Sequence, residues 1–216
     1  MEFLPVLVVL LSFGSTGVVI KKSIKKIGHG PTLTISYTTV SFFLICEAFL
    51  TRMNLTFSTD LLFIYFLEII IGATGIIYLT KALGIGKASV ISTIGKLANV
   101  IVLFAGIIFF GEVVSYNQLF GIALIISAIG ILILNNELKF KYEKWMLYIG
   151  ISILSYAFYF TNIKLLIQPL GFYQATLFLE TGMAVLVMVY YLFNGKKLLP
   201  DSFKKQVMHF FLEFLF

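Results

Sequence analysis

Seven apolar runs separated by short polar connectors organise the chain. They are Phe3 to Ile20, Leu33 to Leu50, Leu61 to Leu83, Ala88 to Phe110, Gln118 to Leu134, Trp145 to Ile163 and Phe172 to Phe193. A helix rising about 1.5 Å per residue needs about 20 predominantly apolar residues to cross a hydrocarbon core of about 30 Å. Each run meets or approaches that length, so the pattern predicts seven spanning helices. The connectors carry the Lys, Asn, Gly and Pro residues that close turns, and none is long enough to be a soluble domain. A further run, Val207 to Phe216, covers half a crossing. It is read as an eighth spanning helix cut short, against the alternative of an interfacial helix carrying His209 and Glu213 on one face. The first run has its basic cluster, Lys21, Lys22, Lys25 and Lys26, behind it and no small-x-small cleavage site after it, so it reads as a retained helix and not as a signal peptide.

Composition makes lipid the solvent. Of 216 residues 60% are hydrophobic and 12% charged, about half the charged fraction of a soluble domain. This excludes an ordinary cytosolic enzyme, and a single cysteine, Cys46, excludes an internal disulfide framework. The net charge of +6 lies in connectors and reports topology, not nucleic-acid binding. Connectors after runs one, three, five and seven hold thirteen lysines, while the opposite face has Arg52 and Lys164. The positive-inside rule places the thirteen in the cytoplasm and the amino terminus outside a multi-pass cell-membrane protein.

The chain also repeats itself. A helix, a short connector with a proline near a glycine, and a second helix run from Leu4 to Leu50 and again from Trp145 to Phe193, with Pro31 and Pro169 in matching places. Five helices in the first unit put a second copy into the membrane in the opposite sense, which is the inverted-repeat logic of secondary transporters. A complete second unit would need roughly 60 further residues, by the same spacing.

Several motifs carry a family resemblance. The stretch Gly86-Lys87-Ala88-Ser89-Val90, then Ile94-Gly95-Lys96-Leu97, Phe109-Phe110-Gly111-Glu112, Gln118-Leu119-Phe120-Gly121 and Gly130-Ile131-Leu132-Ile133-Leu134 resembles the EamA-type transporters of the drug/metabolite transporter superfamily. Tyr78 to Leu83 and Gly14 to Gly17 are similar to that family too. The resemblance implies an all-α polytopic membrane helix bundle of inverted five-helix repeats. Residues 1–140 would be the first repeat, and residues 141–216 an incomplete second one. It also implies a central cavity that passes a small metabolite.

Charges inside the apolar runs locate candidate chemistry. Counted from the face that holds the connectors after runs two, four and six, Glu47 lies about four residues deep, Glu68 about eight, Glu180 about ten and Lys96 about fourteen. A charge in the bilayer interior costs about 2.5 to 3.5 kcal/mol on insertion scales, so the deep ones must be paired, neutral or facing water. Lys96 is read either as a cavity cation that meets an anionic group of the substrate, or as a fixed partner of Glu68 or Glu180. Ser89, Ser92 or Thr93, Lys96 and Asn99 recur at helical spacing and predict a cavity wall. Tyr78 joins them, so the expected substrate-binding residues are Lys96, Glu68, Glu180, Asn99, Ser92 and Tyr78. Glu112 reads as structural, and Gly72 and Gly75 as a small-residue packing face.

These readings favour a secondary transporter of a small metabolite working by alternating access. The alternatives are a flippase for lipid or lipid-linked sugar, and a truncated non-transporting membrane protein or subunit. The expected partners are the small-molecule substrate and membrane lipid, not nucleic acid, with a second copy or a partner subunit to supply the helices missing from the repeat. No cofactor, metal or catalytic residue is expected, since His29, His209, Asp60 and Asp201 all sit near connectors without metal or triad spacing.

Overall fold

The computed structural model describes residues 16–53, 55, 59–134 and 143–194. All regular structure among them is helical. Residues 16–27 form the described part of α1. There follow α2 (His29–Leu50), a 3-10 turn (Thr59–Leu61), α3 (Leu62–Ile85), α4 (Ala88–Gly95), α5 (Leu97–Phe110), α6 (Tyr116–Leu134), α7 (Lys144–Leu170) and α8 (Phe172–Phe193). Five stretches are long and apolar enough to cross a membrane: His29–Leu50, Thr59–Ile85, Ala88–Phe110, Lys144–Leu170 and Phe172–Phe193. The first expected span lies largely outside the described residues. The fifth is helical as α6, but its described apolar stretch, Tyr116–Leu132, is shorter than the other five. The run Val207 to Phe216 and the lysines at 139, 141, 196, 197, 204 and 205 also lie outside the described residues.

Helix ends differ from the sequence expectation at both proline connectors. The lysines at 21, 22, 25 and 26 are on α1, not in a loop after it. The chain turns at Gly28, with φ 91° and ψ 170°, and Pro31 falls in the first turn of α2. Its missing N–H costs nothing there, because first-turn amides have no intrahelical acceptor. Pro169 belongs to the last turn of α7, where the helix forgoes one amide donor just before it ends, and the turn is at Gly171, with φ 80° and ψ 161°. Both glycines occupy backbone conformations that side chains rarely adopt.

The expected fourth span is two helices. At Lys96 the amide donates to the Thr93 carbonyl at 3.1 Å, and the Asn99 amide donates to the Lys96 carbonyl at 3.0 Å. These are three-residue bonds, which tighten one turn and separate α4 from α5.

Close approach holds the centre together. A methyl group at Gly72 of α3 would collide with the Tyr159 ring of α7 and the Met183 sulfur of α8. One at Gly75 would press on Ser155 and Tyr156, and one at Gly182 would collide with Ile69. Hydrogen in place of a side chain thus lets side chains of α7 and α8 seat directly on the α3 backbone at Gly72 and Gly75, and Ile69 of α3 seat on α8 at Gly182, in keeping with the small-residue packing reading of Gly72 and Gly75. Leu33, Tyr65, Ala73, Leu166, Leu179 and Val187 complete this core, and α2 packs along α8. A second core lies toward the end that carries the α1 lysines, where Ile24, Leu83, Ile91, Trp145 and Ile149 pack. There Lys21 donates to the carbonyl of Gly86 and ties α1 to the α3–α4 corner.

Candidate functional site

The charges that sequence places deep in the bundle divide into two settings. Glu68 is fully enclosed between α3 and α7. Both of its carboxylate oxygens are buried without a full hydrogen bond, and the Asn162 side chain of α7 stands at the margin of hydrogen-bonding range. Glu180 of α8 is half-buried and faces Tyr37 of α2 and Tyr156 and Tyr159 of α7. The Tyr37 and Tyr156 hydroxyls share a hydrogen bond, and the Ser41 hydroxyl donates to the Glu180 backbone carbonyl at 3.4 Å. Tyr159 lies within electrostatic reach of both carboxylates and joins the two halves of the cluster. Four helices thus converge on two carboxylates and three phenols, roughly 9 to 12 Å along α3 and α8 from their amino-terminal ends at about 1.5 Å per residue.

Helix character explains why these side chains point inward. Several hydroxyls of these helices are satisfied by their own backbone: Thr38 donates to the Thr34 carbonyl at 2.6 Å and Thr161 to Ala157 at 2.7 Å, while the buried hydroxyls of Thr34 and Thr181 have no such partner. Such back-bonding removes Thr38 and Thr161 from competition for the carboxylates. The tyrosines have no such option and extend into the centre.

Lys96 and Asn99 are not brought to this cluster. Both are exposed, Lys96 at the α4–α5 junction and Asn99 on the first turn of α5, while the neighbours of Glu68 come from α7. The tight turn at Lys96 interrupts the helical spacing on which the expected wall depended. Ser92 is half-buried and seats on Gly17 of α1, where a methyl group would strike its hydroxyl, so it serves close packing of α1 on α4. Thr93 donates to the Ser89 carbonyl at 2.8 Å.

Tyr78 belongs to a separate cluster two to three turns further along α3. Lys81, expected in a connector, is on α3 itself, four residues before the helix ends. Its ammonium lies 4.7 Å from the Tyr78 ring centroid, 5.3 Å from that of Tyr190 and 6.0 Å from that of Tyr148. It also donates to the Tyr190 hydroxyl at 2.9 Å. Three electron-rich faces around one cation replace part of its hydration.

Glu112 pairs with Lys164 of α7, and the Lys164 ammonium lies 5.2 Å from the Phe110 ring. The cap of the following helix comes from Ser115, whose amide bonds the Gln118 side chain at 2.8 Å while the Ser115 hydroxyl accepts from the Gln118 amide at 3.3 Å. Tyr37, Tyr156, Tyr159 and Asn162 are the site residues that sequence reasoning did not select. Position in a span was their only signal, and tyrosine suits lipid interfaces as well as interiors.

Apolar helices long enough to cross a bilayer, packed around a buried polar centre, define a multi-pass membrane protein. The sequence model of the EamA-like transporter family matches residues 2–134, and the chain belongs to that family. A search of curated proteins and a search of solved structures returned no match to the chain.

Proposed function

We propose that the protein is a secondary transporter that moves a small metabolite by alternating access, and that it binds its substrate at the carboxylate–tyrosine centre. One observation carries the reading: α2, α3, α7 and α8 converge around Tyr159 on Glu68, which is enclosed, and Glu180, which is half-buried. A carboxylate held in the middle of a membrane bundle without full hydrogen bonding is costly as a purely structural element and useful as a binding group. The turns at Gly28 and Gly171, about 140 residues apart and alike in φ and ψ, support the two-repeat organisation. Under that organisation α2 and α8 are counterparts, and their packing against each other is what a two-fold axis between them would produce. The lysine-rich end faces the cytoplasm in this reading.

Accessibility tests the mechanism without knowledge of the substrate. With Cys46 replaced by Ser, a cysteine introduced at Ser41 should react with a membrane-impermeant maleimide applied from either side of sealed vesicles. Prior reaction from one side should block the other. Reaction from one side only, under all conditions, would overturn alternating access at this centre.

A further inference from the structure

The geometry points to a site for the headgroup of an anionic phospholipid at the lysine-rich end of the bundle, in the corner where α1, the α3–α4 turn and the start of α7 meet. This corner is separate from the carboxylate–tyrosine centre, and its occupant does not depend on what that centre binds.

Three segments bring cations together here. On α1, Lys21 and Lys25 stand one turn apart on one face and within electrostatic reach of each other, with the exposed Lys22 and Lys26 beside them. The Lys21 ammonium rests on the Gly86 carbonyl, next in the chain to the exposed Lys87. Trp145 of α7 packs over the same glycine, where a methyl group would come within 3.0 Å of the indole, and the exposed Lys144 precedes it. Ile24, Ile91 and Trp145 belong to one core, so these lysines are carried on packed helix ends.

Negative charge does not answer them. Of the acidic residues among those described, Glu47, Asp60 and Glu112 lie at the opposite end of the bundle and Glu68 and Glu180 in its centre, which leaves Glu143 at this end. Its carboxylate already accepts from the Trp145 indole at 2.6 Å. Lysines four apart on a helix repel, and Lys21 offers three N–H donors to one carbonyl. A phosphate group supplies both the opposite charge and several acceptor oxygens.

Depth selects the source of that phosphate. The corner lies within two turns of the helix ends, the level of lipid headgroups in a bundle that crosses a membrane, and tryptophan favours that level. One turn below Lys21 and Lys22 on α1, Val18 is exposed, and Ile85 at the end of α3 is exposed as well. Apolar surface for acyl chains thus adjoins the cations. A soluble anion would use the lysines alone, whereas a phospholipid uses both surfaces, as headgroup sites between membrane helices do.

Trp145 is the chain's single tryptophan, so its fluorescence reports on the lipid seated in this corner. The full chain is reconstituted in phosphatidylcholine containing phosphatidylglycerol brominated near the headgroup end of its acyl chains, and the quenching is compared with that by phosphatidylcholine brominated in the same place. Phosphatidylglycerol should be preferred by about tenfold at low salt, and the preference should shrink as salt rises. Lys25→Gln, at an exposed position, should lower the preference by about two- to fivefold, and Lys25→Arg should keep it. Arg52→Gln, at the opposite end, should leave it unchanged. Equal quenching by the two lipids in the parent chain would overturn the proposal. So would a preference lowered as much by Arg52→Gln as by Lys25→Gln, which is the mark of diffuse attraction to the whole surface. Loss of the preference on adding millimolar inorganic phosphate at constant ionic strength would make a soluble anion the occupant and overturn the lipid.

Discussion

The α3–α7–α8 seam and the α4–α5–α6 flank are both predominantly apolar, the flank more so, yet opposite in construction. Ten residues of α3 are buried, against two of α5, and α6 contributes none among the described residues. On the seam, polar groups such as Glu68, Thr80 and Ser152 are enclosed; on the flank Ser89, Lys96 and Asn99 are exposed. The difference lies in the small residues. Gly72, Gly75 and Gly182 each have a partner helix within reach of a missing methyl group, whereas Gly121 and Gly130 of α6 have nothing within 4 Å. In a membrane, apolar side chains gain little by leaving lipid, so close contact and buried polar groups decide which helices form the centre.

Paired substitutions can break or sharpen this contrast, taken from the largest expected effect downward. Leu166→Ala, at a fully buried α7 position, should cost about 2 to 5 kcal/mol in reversible unfolding from lipid or detergent. Phe109→Ala on α5, 76% exposed, should change the same measurement by less than about 0.5 kcal/mol. Gly72→Leu should cost about 1 to 3 kcal/mol by overpacking against Tyr159 and Met183, with Gly121→Leu near zero. An equal loss in the two glycine variants would show that the flank is as tightly built as the seam. Lys81→Met removes one hydrogen bond and the ammonium from three tyrosine rings, and a loss of about 1 to 2 kcal/mol is expected. Thermal melts of this variant beside Lys81→Arg would show partial recovery with arginine. Last, Glu112→Gln should cost no more than about 1 kcal/mol, because the pair with Lys164 is 44% and 32% exposed, and its effect should shrink with added salt.

Sequence made the spans readable because length and apolarity alone determine whether a helix can cross a bilayer. It also pointed to Glu68 and Glu180, since a carboxylate that deep in an apolar run has no inexpensive place except the interior. The same rule misplaced Lys96. A cation in the middle of a run was read as an interior residue, but the tight turn after Thr93 makes it a helix-junction residue, and no proline announced the break. Lys81 failed in the other direction: it was counted with the connectors, yet its helix continues for another turn and encloses it among tyrosines. Tyr37, Tyr156 and Tyr159 could not be chosen because their selection depends on which helices meet, and helices that are apolar all round give no sign of their inner face.

The single-residue corners at Gly28 and Gly171 bear on how the protein is made. One residue advances the chain by about 3.8 Å, too little to let one helix settle while its neighbour waits in water. The pair α7–α8, each helix long enough to cross, is therefore expected to enter the bilayer as one hairpin. A bulky residue in place of Gly171 would act first on insertion, lowering the yield of membrane-integrated chain before any finished molecule could be assayed.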